Sequence, residues 1–300
     1  MTITQKIIAK FMDIVGKKDT KRLASQSAPE KIVTLTDIPY INDGNPAHLL
    51  DIYYPEGTTE KRPVIFDIHG GAWVYGTKEI NKYFCMNLAA EGFTVININY
   101  RLITESRYPS QLQDIYAALN FIAENADKYY CDMDNFFIMG DSAGGHLAST
   151  VMALQNNAKQ EEEWGLKTDV NIKAGSLICA VFELGSFVKF RNPVGRAFGE
   201  YFIGKDYFAS PMMPKLSLSG VYNGKMPPMF LNTSMQDFMR GQNLKAMKFF
   251  EEKGEYYEYH IQEKVKGKKF EHVYNILYPH YEESKLVNKK ITDFFKKYIG

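Results

Sequence analysis

Cysteine is scarce in this chain, and neither sign of charge dominates it. Only Cys85, Cys131 and Cys179 occur among 300 residues. An odd number of widely spaced thiols argues against a disulfide framework and against a CxxC metal site. The formal net charge of +1 gives no electrostatic reason to expect a nucleic-acid partner. The basic cluster "KVKGKK" (264–269) is short, has acidic residues on both sides and reads as a solvated loop. Long apolar runs are also missing. Nothing approaches the ~20 apolar residues of a membrane span. The opening "MTITQKIIAKFMDIVGKK" is interrupted by Lys10 and Asp13, so it lacks the apolar centre of a signal peptide. Ile3, Ile7, Phe11 and Val15 recur instead at helical spacing, which predicts an amphipathic helix within residues 1–30. A soluble, cytoplasmic protein is the expectation, with no metal and no organic cofactor. Oligomeric state is not encoded in any of these features.

What the chain does have is an alternation of strand-like and helix-like runs. Strands are expected at 31–36, 48–54, 63–69, 93–100, 135–140, 174–182, 227–234 and 256–261. Several are apolar on both faces, as central strands of a covered parallel sheet are. Helices are expected at 78–91, 110–127, 143–158, 240–253 and 281–298. This β/α alternation predicts an α/β fold with a mostly parallel, doubly wound sheet. The first two strands have no helix between them, so an antiparallel pair should open the sheet. Residues 1–300 are read as one domain with an insertion at 185–226 that breaks the rhythm. That insertion carries Phe187, Phe190, Phe198, Tyr201 and other aromatics without a clean period, which suggests a lid or pocket wall.

Three glycines surround one serine in "MGDSAGGHLA" (139–148), between an apolar strand and a helix-compatible run. Glycine weakens both kinds of element, so the pattern needs a reason. A GxSxG turn from strand to helix holds its serine on a tight elbow, with the hydroxyl aimed away from the sheet. Ser142 is therefore a candidate nucleophile, and it needs a base and an orienting acid. His272, in the connection between the last strand and the last helix, is favoured as base over His260 and His280. Asp237, just past the strand at 227–234, is favoured as acid, with Asp206 and Glu183 as alternatives. The stretch "DIHGGAWVYG" (67–76) follows another apolar strand and exposes backbone N–H groups. Gly71, Ala72 and Ala143 are the candidate donors to a developing oxyanion, with Gly70 permitting close approach. An imidazole base must start neutral, so activity should fall in acid.

Taken together, "HGGAW" (69–73), "NYRL" (99–102), "YPSQLQD" (108–114), "GDSAGG" (140–145) and "HVYNILYP" (272–279) resemble the serine carboxylesterases of the α/β-hydrolase fold. More narrowly, they resemble the hormone-sensitive-lipase-like and feruloyl/acetyl-xylan-esterase-like enzymes. The resemblance implies an eight-stranded, mostly parallel sheet with helices on both faces. It also implies Ser142 as nucleophile, His272 as base and Asp237 as acid, with Asp141 and Glu183 as carboxylates that brace the site. Ala72 stands where a strict HGGG motif has its third glycine, and Trp73 follows it, which moves the likeness toward HGGxW esterases and formamidases. The substrate expected is a small-molecule ester with a short-to-medium acyl, aromatic or sugar group, bound against Trp73, Phe187, Phe198 and Tyr201. The amino-terminal helix is expected to pack over the opening. The alternatives are an amidase such as an arylformamidase, or an inactive hydrolase-derived ligand-binding protein.

Overall fold

The computed structural model describes residues 2–188 and 193–300, so Phe190 of the expected insertion lies outside the described residues. The strands are β1 (Ile32–Pro39), β2 (Leu49–Pro55), β3 (Arg62–Ile68), β4 (Thr94–Ile98), β5 (Cys131–Asp141), β6 (Ile172–Ile178), β7 (Met229–Ser234) and β8 (Tyr257–Gln262). They form one sheet in the order β1-β2-β4-β3-β5-β6-β7-β8. β2 is antiparallel to both β1 and β4, and the remaining pairs are parallel. Each expected strand is present, with ends displaced by a few residues.

Helices follow the same order: α1 (Ile3–Ala24), α2 (Lys82–Ala90), α3 (Ser110–Glu124), α4 (Ser142–Leu154) and α5 (Ala158–Trp164). The insertion folds into the short helices α6 (Leu184–Val188), α7 (Pro193–Phe202), α8 (Met212–Lys215) and α9 (Leu218–Val221). After it come α10 (Arg240–Lys253), α11 (Tyr274–Leu277) and α12 (Glu282–Lys296).

Side chains alternate across a strand, and here both faces are covered. On β3 and β5, Val64, Phe66, Phe136 and Ile138 enter one core with residues of α3, α4 and α10. Their neighbours Ile65, Phe137 and Met139 enter a second core with α2 and α12. Two buried faces explain why these strands read as nearly unbroken apolar runs. Because β3 leads to β4 on one side and β5 leads to β6 on the other, the chain leaves β3 and β5 in diverging directions. A crevice opens at their carboxyl ends, where ligands bind in open α/β sheets.

Helix α1 begins at a capping box in which the Thr2 and Gln5 side chains exchange bonds with each other's backbone N–H. The expected helix is present, and its apolar residues divide between two faces. Ile8 enters the main core, whereas Ile3, Ile7 and Phe11 point outward.

Candidate active site

The serine at the end of β5 sits at φ 50°, in the left-handed region, where it turns the chain directly into α4. Such a turn leaves no room for side chains at its base. A Cβ on Gly140 would strike the Gly144 carbonyl, and one on Gly144 would run into the carbonyls of Ile68 and His69. The glycines of the motif are thus the condition for α4 to lie against β3. Ala143, fully buried, opens the first turn of α4, where backbone N–H groups lack intrahelical acceptors and the helix dipole is positive.

Ser142 Oγ lies 2.8 Å from His272 Nε2, and His272 Nδ1 lies 2.7 Å from Asp237 Oδ1. An ionised carboxylate can only accept, so Nδ1 carries the proton and Nε2 is left to accept from the serine hydroxyl. Asp237 is fixed before it meets the imidazole: its Oδ2 accepts from Thr233 Oγ1 at 2.7 Å and its Oδ1 from the Met239 N–H at 2.8 Å. Burial alone would raise the Asp237 carboxyl, but the His272 hydrogen bond and charge, with those two donors, hold it below the usual range. His272 is carried on a turn in which Val273 takes φ 53° and donates its N–H to Cys179 Sγ at 3.3 Å. The Phe238 ring lies over the imidazole, 4.4 Å between centroids.

Cys179, Asp237 and His272 bring potential metal-ligand atoms within 4.8 Å of one another. Asp237 and His272 already engage each other, and burial holds the Cys179 thiol well above its ordinary range, which makes it a poor ligand.

Gly71 and Ala72 line the cleft beside Ser142 in left-handed conformations, φ 112° and 52°. The Gly71 carbonyl accepts from the N–H groups of Val74 and Tyr75 and so curls the loop. Asp141 ties this loop to the elbow: its Oδ1 accepts from the Gly70 N–H at 2.9 Å and from Asn81 Nδ2 at 2.8 Å. Asn81 Nδ2 also reaches Asp67 Oδ2 at 2.9 Å, and the Cys85 thiol donates to the same oxygen at 3.4 Å. Burial, aided by the Asp141 charge, pushes the Asp67 carboxyl up to about 7. Burial likewise raises Asp141, against the Asn81 bond, the His272 charge and the Gly70 N–H.

The BD-FAE family profile matches residues 50–240, more than half of the chain and inclusive of the elbow and the Gly-Gly loop. The chain belongs to the BD-FAE family. It is 29% identical over 199 residues to a putative alpha/beta hydrolase, R526, of Acanthamoeba polyphaga mimivirus, covering 62% of this chain and 56% of that protein. It is 32% identical over 132 residues to esterase LipC of Mycobacterium tuberculosis, covering 43% of this chain and 33% of that one. The chain therefore spans about half the length, or less, of these curated relatives. A solved structure of esterase B from Lactobacillus rhamnosis, inhibited with a tributyrin phosphonate, superposes with a TM-score of 0.92. That match is 27% identical and covers 98% of this chain and 94% of the other. The α/β-hydrolase fold is thereby established for this BD-FAE member.

The cleft at Ser142 holds about 720 Å³. Its walls correct one expectation for this BD-FAE chain. Trp73, Phe187, Phe198 and Tyr201 do not line it. Trp73 is buried edge-on against His146 and Phe202, and Phe187 packs on Phe198 at 5.4 Å. Tyr201 is partly buried against the same core. Among the described residues, the rings of Phe187, Phe198 and Phe202 cover one another and Trp73 instead of facing the cleft. The walls come from α1 (Phe11, Met12, Val15) and from the His272 segment (Ile276, Leu277, Tyr278). Helix α1 does cover the opening, held there by polar contacts. The Tyr75 hydroxyl donates to Asp19 at 2.9 Å, Asp19 pairs with Arg22, and Arg22 donates to the Ile80 carbonyl at 2.9 Å.

The other candidates lie elsewhere. His260 sits on β8 near Lys290, His280 is exposed between Tyr278 and Tyr281, and Asp206 is exposed ahead of Tyr207. Glu183 accepts from the Ser219 N–H and hydroxyl and so braces the insertion, not the triad. The roles of Asn81 and Asp67 are not legible in the sequence. The "FDIHGG" run offered the only signal, an acid inside an apolar strand two residues before the loop.

Proposed function

We propose that this chain hydrolyses carboxylic esters through an acyl-enzyme on Ser142. One observation carries the reading: the continuous path from the Ser142 hydroxyl through His272 to Asp237, at 2.8 and 2.7 Å. In this reaction His272 Nε2 takes the hydroxyl proton as Oγ attacks the ester carbonyl. The C–O bond to the alcohol then breaks, and the same nitrogen returns the proton to the leaving oxygen. Water enters, gives its proton to His272 and releases the acid by the reverse course. Asp237 holds the imidazole tautomer and balances its positive form. The N–H groups of Gly71, Ala72 and Ala143 stabilise the tetrahedral oxyanion. Each such donor contributes about 3 kcal/mol to lowering the barrier.

A cleft with apolar walls from Met12, Val15, Ile276 and Leu277 supports short-to-medium acyl or aromatic esters as substrates. The phosphonate inhibition of esterase B supports the same chemistry, since a phosphonate mimics the tetrahedral state. The test is a series of p-nitrophenyl esters of graded acyl length run beside an aryl formamide, with fluorophosphonate labelling of wild type and Ser142→Ala. Ester turnover and labelling that both vanish in Ser142→Ala are expected. Equal labelling of the two proteins overturns the proposal. Preferential turnover of the formamide replaces the ester by an amide and keeps the machinery.

A further inference from the structure

Helix α1 carries an apolar stripe that is open to solvent. Ile3, Ile7, Phe11 and Ile14 are 79, 61, 57 and 45% exposed. Their spacing puts them on one side of the helix. The outward direction of this stripe is built in, because Ile8, Asp19 and Arg22 fasten other faces of α1 to the core, Tyr75 and Ile80. Lys6, Lys10 and Lys17, all exposed, repeat along one flank of the stripe, Lys17 paired there with Asp13 at 2.7 Å, and Lys18 and Lys21 continue the charge. Within α1, six basic side chains stand against the two acids Asp13 and Asp19, in a chain whose net charge is only +1. An apolar stripe edged by lysines suits a helix lying in the plane of an anionic interface, with lysine stems on the apolar side and ammonium groups at the headgroups. The same helix reaches the mouth of the cleft through Phe11, Met12, Val15 and Lys18.

We infer that α1 docks on an anionic lipid–water interface and seats the mouth of the Ser142 cleft against esters held there. The attachment is interfacial, and no helix among the described residues is long and apolar enough to cross a membrane. A second copy of the chain is disfavoured on the same stripe, since pairing would set two clusters of positive charge side by side. The presentation of interfacial esters to the cleft rests on the ester-hydrolase reading, whereas the docking itself does not.

The full chain is mixed with phosphatidylcholine vesicles made with and without phosphatidylglycerol and sedimented, and turnover of soluble p-nitrophenyl butyrate is followed in the same samples. Wild type is expected to partition onto the anionic vesicles and to be released by salt. The Lys6→Glu/Lys10→Glu/Lys17→Glu variant should lose partitioning by about a hundred-fold or more. The Ile3→Ser/Ile7→Ser/Ile14→Ser variant should lose it comparably, with soluble-ester turnover retained in both. Wild type that turns over the soluble ester but stays off anionic vesicles overturns the inference. So does vesicle binding that neither variant weakens, or a wild-type dimer in sedimentation velocity that the isoleucine variant dissolves. Vesicle binding without any ester turnover supports the docking and removes the hydrolase reading alone.

Discussion

Replacing Asn81 with leucine tests how the loop at residues 70–72, the proposed oxyanion site, is held. Asn81 is buried, and its amide donates at once to Asp141 Oδ1 (2.8 Å) and Asp67 Oδ2 (2.9 Å). Leucine keeps the volume and removes both donors. A hydrogen bond to a charged acceptor contributes about 1.5–3 kcal/mol, and one to a neutral group about 1 kcal/mol. Burial raises both carboxyls, so a value between the two applies to each bond. The expected loss in urea unfolding is about 3 kcal/mol. The kinetic effect is smaller than removal of an oxyanion donor, which costs about 10²–10³ in kcat. Asp141 retains the Gly70 N–H, and only its second tether is cut. Asn81→Leu should lose about ten- to thirty-fold in kcat on p-nitrophenyl butyrate, with KM little changed. Unchanged kcat alongside the full stability loss would refute the link from Asn81 to the loop. Unchanged stability would refute the buried bonds themselves.

Other perturbations follow the same geometry. The Asp67 carboxyl is raised to about 7, so its favourable contribution is complete below the unfolded value near 4 and is lost as pH rises toward 7. Asp67→Asn should therefore gain on wild type by about 1.4 kcal/mol per pH unit between 4 and 7 and level off above, as read by denaturant melts across pH. Gly144→Ala drives a methyl into the Ile68 carbonyl and should cost about 3 kcal/mol together with fluorophosphonate labelling. Gly241→Ala, with open space around its Cβ on α10, should instead stabilise by up to about 1 kcal/mol. Arg22→Ala unties α1 from Ile80. It should speed amide exchange in residues 3–24 and raise KM for longer acyl esters, leaving acetate turnover nearly intact.

The parts of the site most legible in the sequence are those whose chemistry forces a local pattern. The elbow must be glycine-rich because β3 and α4 meet at van der Waals distance, and that constraint is visible in residues 140–145. His272 and Asp237 were narrowed by their positions relative to strands, since the crevice lies at strand carboxyl ends. The substrate wall is not legible in the sequence for an equally physical reason. Aromatic density in 185–226 signals burial without saying whether a ligand or a neighbouring ring provides the cover, and here the rings of Phe187, Phe198 and Phe202 cover each other and Trp73. Periodicity in α1 identified a helix but not its inward side, because Ile3, Ile7 and Phe11 form as regular a series as the packed face. Asn81 left no trace, as one amide at the start of a helix carries no spacing to read.

The reacting groups and the roof above them come from separate stretches of chain. Every group proposed for bond-making lies between Gly71 and His272, while one wall of the cleft belongs to the opening helix, gripped through Tyr75, Asp19 and Arg22. Which molecules enter can thus drift independently of how they are cleaved. Exchanging residues 3–24 for those of a relative would graft a new preference onto an unaltered engine, a division of labour that lets one scaffold diversify without passing through inactive intermediates.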